Sequence, residues 1–169
     1  VTGAVAAAIY PSTTFQRGEE GDYPSGFAYS RVQNPNRKML EECLAALYRG
    51  KDALVFASGL AVAHAAFQSL EPGDHVLSSA DIYYGVRNVA ATLFPKWPIE
   101  FTYVDMTDLD AVRAAIRPST RLVWTETPSN PLLKILDLAA IAGIARQANA
   151  VSICDNTFAT PVFQRPFDF

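Results

Sequence analysis

The sequence predicts an α/β fold with a mainly parallel sheet between helices. From Lys38 onward, short apolar runs alternate with helical patterns of about ten residues, as successive βαβ units require. Half of the 169 residues are hydrophobic and 18% are charged, enough apolar material for a core and too much for disorder. Polar, glycine and aromatic residues collect where the apolar runs end: Ser58-Gly59, Asp81 to Tyr83, Glu126 to Asn130, and Asp155 to Thr157. Parallel sheets take their ligands at the carboxyl ends of their strands, so this convergence says more than any one motif.

The elements follow in order. Lys38 to Tyr48 reads as a helix with Met39, Cys43, Ala46 and Leu47 on one face, closed by Gly50 as C-cap. ALVFA, residues 53 to 57, is a short buried strand, and Ser58-Gly59-Leu60 leads into the apolar helix AVAHAAFQSL. EPGD is a turn by composition. HVLS, from His75, is the next strand. Tyr84 to Phe94 is helical until Pro95 and Pro98 end it. Ile99 to Val104 alternates as a strand. Asp108 to Ile116 is an amphipathic helix with an acidic, solvated start. Arg121 to Thr125 is a strand, Pro128 to Pro131 a loop, Asp137 to Ala148 a helix, and Val151 to Cys154 a final strand ending at Asp155. The first 36 residues, with Pro11, Gly18, Gly21, Pro24, Gly26 and Pro35, form an irregular arm rather than a domain.

Charge and composition exclude several function classes. A net charge of −3 supplies no basic excess for phosphate backbones, so nucleic acid is not an expected partner. No apolar run reaches the eighteen or so residues of a membrane helix, and the start carries no signal-peptide pattern. Cys43 and Cys154 form no metal or redox spacing and read as reduced, packed thiols, which suits the cytoplasm. His64 and His75 have no second ligand nearby, so no metal is expected.

Each candidate residue has two readings. Ser58-Gly59-Leu60, between strand and helix, is either a phosphate cradle of free backbone N–H groups or an ordinary capped turn. Asp155, at the end of a buried strand, either caps the turn DNTF or faces a cationic heterocycle nitrogen. Tyr83 either stacks on a flat ligand or packs its loop. Asn130, between two prolines, either orients a ligand or closes the turn. Arg31, in the arm, is either solvated or a phosphate clamp. Neither G-x-G-x-x-G nor a Walker A sequence is present.

Together the segments YSRVQNPNRKMLEE, FASGLA, DIYYG, ETPSNPLLK and CDNTFATPVFQRP resemble, in order and spacing, the Cys/Met-metabolism family of pyridoxal-phosphate enzymes. The resemblance spans essentially the whole chain. It implies the large domain of a type I, aspartate aminotransferase-like transferase, present in part: residues 37–169, preceded by an arm, residues 1–36, that reaches a neighbouring subunit. It implies pyridoxal 5'-phosphate as cofactor, with Ser58, Gly59 and Leu60 on its phosphate, Tyr83 stacked on the ring and Asp155 on the ring nitrogen. Asn130 would lie near the 3-oxygen, with Glu126 and Thr157 lining the pocket and Tyr29 and Arg31 on a neighbour's phosphate. Tyr83 and Asp155 are the catalytic candidates. The activity implied is trans-sulfuration: β- or γ-elimination or replacement on a sulfur amino acid or activated homoserine, as in cystathionine γ-synthases and γ-lyases, by a homodimer or homotetramer. O-acetylhomoserine sulfhydrylase and methionine γ-lyase are alternative subtypes. Tyr84-Gly85-Val86 lacks the cysteine associated with the latter, and Asn36 stands where threonine is common. The family's Schiff-base lysine lies in a Ser-x-Thr-Lys segment expected after QRPFDF, and Lys38, Lys51, Lys96 and Lys134 all fall outside that context. The small C-terminal domain is likewise expected beyond Phe169. Competing readings are a non-catalytic truncated relic or oligomerisation module, and a different nucleotide-binding α/β domain.

Overall fold

A computed structural model describes residues 3–169. The chain divides into two compact units that meet in sequence at Val55 and Phe56.

The first unit holds the arm and one helix. The arm doubles back on itself: Thr14 bridges Tyr29 antiparallel, and Phe15 packs on Phe27 with ring centroids 5.5 Å apart. Asn36 ties down the start of the arm, donating from Nδ2 to Ala8 O at 2.6 Å and accepting from Tyr10 N at 2.8 Å. Helix α1, Pro35–Tyr48, begins where Asn34 accepts from Asn36 N and proline occupies the first helical position. Two expectations need correction here. The left-handed C-cap is Arg49, at φ 57°, rather than Gly50, whose N–H instead reaches back to Ala45 O. The apolar positions of α1 are not buried, and Cys43 is exposed rather than packed.

The expected strand at residues 53–57 does not form. Val55 N donates to the Glu41 carboxylate at 3.2 Å instead of to a ladder, and Leu54 is 78% exposed. An apolar run with Val55 and Phe56 at its centre has strand composition, but a strand also needs a neighbour to pair with, and the run has none among the described residues.

The second unit is a three-layer α/β arrangement. Its four parallel strands are β1 (His75–Ser79), β2 (Glu100–Val104), β3 (Thr120–Glu126) and β4 (Val151–Asp155), in the order β2-β1-β3-β4. The two central strands are buried almost throughout, while the edge strands are largely not. Helices α2 (Gly59–Gln68) and α3 (Tyr84–Thr92) supply one face of the core. There Ala63, Phe67, Val86, Ala90 and Phe94 pack on Val76, Leu122 and Trp124. Helices α4 (Leu109–Ala115) and α5 (Leu138–Gln147) supply the other, where Val112, Ile141 and Ala145 meet Leu77 and Val123. Asp108 and Asp137 cap α4 and α5, each accepting first-turn N–H groups. A short helix, α6 (Thr160–Phe163), follows β4. Pro95 sits inside a 3₁₀ turn, Phe94–Lys96, so α3 stops two residues earlier than its apolar pattern suggests.

The strand order fixes where a ligand can sit. The chain leaves β1 towards β2 on one side and returns to β3 on the other, so a crevice opens between the carboxyl ends of β1 and β3.

Candidate functional site

The crevice is built from the segments that follow β1, β3 and β4, beside the N-terminus of α2. Leu122, Trp124 and Glu126 alternate onto one face of β3, and Glu126 lies in register with Asp155 at the end of β4. Two carboxylates therefore stand side by side at the sheet's edge.

They do different things. Glu126 is 5% exposed and both its oxygens hold backbone: Oε2 accepts from Tyr83 N at 2.6 Å and Oε1 from Asn130 N at 3.0 Å. Burial pushes its carboxyl up, and the charges of Asp155 and Asp81 push the same way, against the two N–H donors. Asp155 is half-exposed, and one oxygen, Oδ1, accepts from Thr157 N at 3.0 Å and from Thr157 Oγ1 at 2.5 Å. The turn reading of DNTF thus holds for Oδ1. Oδ2 makes no hydrogen bond among the described residues and can take a cation.

Tyr83 follows β1, is the N-cap of α3 and is 46% exposed. A Cβ built on Gly85 would come within 2.5 Å of Tyr83 Cε1 and 3.0 Å of Leu60 Cδ2. The Tyr83 ring and the Leu60 side chain therefore share the space that Gly85 leaves open, joining the starts of α2 and α3. Sequence reading gave Gly85 no role; its signal is a glycine two residues beyond an exposed aromatic.

At the start of α2, Ser58 Oγ accepts from Ala61 N at 3.2 Å. Gly59 N and Leu60 N, the first-turn donors, have no acceptor among the described residues, and a Cβ on Gly59 would meet nothing within 4 Å. This is a helix terminus open to an anion, although it follows an irregular segment rather than the strand expected there. The Asn130 side chain is half-buried with its amide unengaged among the described residues, in a loop where both X-Pro bonds, Thr127-Pro128 and Asn130-Pro131, are cis. Further bonds moor that loop, among them Ser129 Oγ donating to Asp81 Oδ2, Gln164 Nε2 to Thr127 O at 3.0 Å, and Lys134 Nζ to Asp105 at 2.9 Å. Lys134 and the nearby Thr107 hold Asp105 down to about 2. Cys154 is pushed up to about 11, mainly by burial, which keeps the thiol protonated near neutral pH.

Within the first unit, Tyr29 and Arg31 come together: Arg31 NH2 donates to Tyr29 OH at 2.6 Å, and the guanidinium lies 5.2 Å from the ring centroid. Among the described residues no cluster of His, Cys, Asp or Glu has the arrangement of a metal site, and no helix is long and apolar enough to cross a membrane.

A helix start open to an anion, an exposed aromatic and a carboxylate with one open oxygen, gathered at the carboxyl ends of a parallel sheet, are the arrangement of an α/β domain suited to a ligand. The profile of the family described as "Cys/Met metabolism PLP-dependent enzyme" matches residues 1–169, and the chain belongs to that family of enzymes. A probable cystathionine gamma-synthase from Herpetosiphon aurantiacus is 47% identical over 166 residues, 98% of this chain and 52% of that protein. The crystal structure of metB from Corynebacterium glutamicum superposes with a TM-score of 0.95 at 40% identity, over 98% of this chain and 43% of that one. That of cystathionine gamma-lyase from Lactobacillus plantarum, complexed with L-serine, does so with a TM-score of 0.94 at 41% identity, over 99% and 43%. The chain thus spans about half the length of the relatives it matches. The expected family, the type of fold and the pyridoxal-phosphate dependence all hold.

Proposed function

We propose that these residues are the cofactor-binding part of a trans-sulfuration enzyme acting by β- or γ-elimination or replacement on a sulfur amino acid or activated homoserine. Bound pyridoxal phosphate supplies an electron sink for the carbanion formed when an amino acid loses its Cα proton. The fit of the residues to that group supports the reading. The open N–H pair of Gly59 and Leu60, with Ser58, suits the phosphate. Asp155 Oδ2 suits a protonated ring nitrogen, with Oδ1 pinned by Thr157 so that the carboxylate cannot rotate away. Tyr83 offers its ring for stacking and Asn130 an amide for the 3-oxygen. Residues 1–36 act as the arm of a homodimer or homotetramer, in which Tyr29 and Arg31 meet the phosphate bound by a neighbour. The protein works in the cytoplasm.

The open oxygen of Asp155 carries the reading, because a carboxylate at a strand end with one oxygen fixed and one free is poised for a cationic partner. Replacing Asp155 with Asn keeps the turn but removes the charge. In the intact protein it is expected to weaken pyridoxal-phosphate binding roughly ten- to hundredfold, the worth of about 1.5–3 kcal/mol for a charge-assisted bond. Titration followed by cofactor absorbance checks this, and an unchanged affinity would remove Asp155 from the site.

A further inference from the structure

We infer that Glu126 is a positioning residue, whose one carboxylate clamps the segment after β1 to the loop after β3 so that Tyr83 and Asn130 present themselves to the same crevice. The inference rests on the reading of that crevice as the pyridoxal-phosphate site, but its geometry concerns the protein alone. Glu126 was expected to line the pocket. Instead its two oxygens face inward, one on Tyr83 N at 2.6 Å and one on Asn130 N at 3.0 Å. The two bonds span 43 residues in one direction and 4 in the other, so they tie together segments that the chain itself does not hold in register.

The residue type is specific to this task. A buried carboxylate without a cation is costly, and Glu126 has no ion pair among the described residues. What compensates it is a pair of backbone donors, one per oxygen. Only a carboxylate accepts on both atoms at once. A glutamine in the same place would accept on one side and set its NH₂ against an N–H on the other. An aspartate would be one methylene too short to reach both segments. Neighbouring Asp155, with one oxygen left open, makes the division of labour plain: the partly exposed carboxylate is for the ligand and the buried one for the walls that hold it.

The test is amide hydrogen exchange in the intact protein without cofactor. In the wild type, the Tyr83 and Asn130 amides are expected to exchange slowly although Tyr83 is 46% exposed. Fast exchange at both would overturn the clamp, and this measurement stands even if no variant folds. In Glu126→Gln, exchange at one or both amides is expected to rise at least about tenfold, the equivalent of one lost bond to a charged acceptor, with amides of β1 to β4 unchanged. Unchanged exchange at both sites would overturn the inference. Pyridoxal-phosphate affinity, measured separately by absorbance titration, is expected to fall in the same variant. A wild type that fails to bind pyridoxal phosphate, yet shows the slow amides and their release in Glu126→Gln, would reject the cofactor reading and keep the clamp.

Discussion

At the scale of single residues, the site depends on small differences between similar groups. Asp155 and Glu126 are neighbours in register, yet one is half-exposed with an open oxygen and the other is buried with both oxygens engaged. The strand pattern placed both at the sheet's edge. It did not separate their tasks, because that depends on which backbone N–H groups the neighbouring loops bring within reach. Gly85 shows the same limit. Its missing Cβ is the space in which the Tyr83 ring and Leu60 sit. The near atoms, Tyr83 Cε1 and Cδ1 and Leu60 Cδ2, all belong to side chains and none to backbone, so Gly85→Ala should fold if the Tyr83 ring swings aside: losing glycine in a helix is worth about 0.5–1 kcal/mol and offsets part of the crowding. The expected outcome is a melting temperature within a few degrees of wild type together with weaker pyridoxal-phosphate binding, as the ring is pushed from its place. Calorimetry and absorbance titration on one sample check both halves.

At the scale of elements, the site is as firm as the sheet and the two helices that carry it. Phe67 on α2 anchors that face, with ring centroids 5.5 Å from Phe94, 5.1 Å from Phe101 and 5.2 Å from Trp124. It is fully buried and has no room to collapse into. Phe67→Ala is expected to destabilise by about 3–5 kcal/mol. Because α2 carries the open N–H pair, the variant should also lose anion binding at temperatures where the wild type retains it. Denaturant unfolding, with and without inorganic phosphate, measures both. Helices α2, α4 and α5 were legible in the sequence because each combines a helical period with a polar residue at its start, and Ser58, Asp108 and Asp137 each accept a first-turn N–H there. The strand expected at residues 53–57 does not form, because composition supplies side chains suited to a sheet but not a partner strand. The C-cap of α1 was missed because glycine is preferred at a left-handed position rather than required, and Arg49 adopts it at about 1–2 kcal/mol.

At the scale of the whole second unit, the two ends of the sheet have separate tasks. The carboxyl ends gather the site. At the opposite end, His75 is fully buried and joins three strands, with Nδ1 2.8 Å from Thr120 Oγ1 and Nε2 2.9 Å from Thr102 Oγ1. Arg117 closes the network from Thr102 and Glu100. Burial, then Arg117, holds the imidazole below its ordinary 6.5, against the pull of Glu100. The unfolded chain therefore binds a proton more readily than the folded one, and stability falls as pH drops from about 6.5 towards the folded value. Unfolding by denaturant at pH 7.5 and pH 5 should show that loss, and His75→Gln should reduce it. The alternation of strand and helix, the caps, and the five ordered motifs that mark the family are all properties of the sequence, since period and spacing are local. Only the tertiary structure decided that Glu126 holds backbone with both oxygens, that Asp155 leaves one oxygen unengaged, and that Gly85 makes room for Tyr83. Those outcomes depend on atoms brought together by the order β2-β1-β3-β4 from segments tens of residues apart, a juxtaposition that no local pattern encodes.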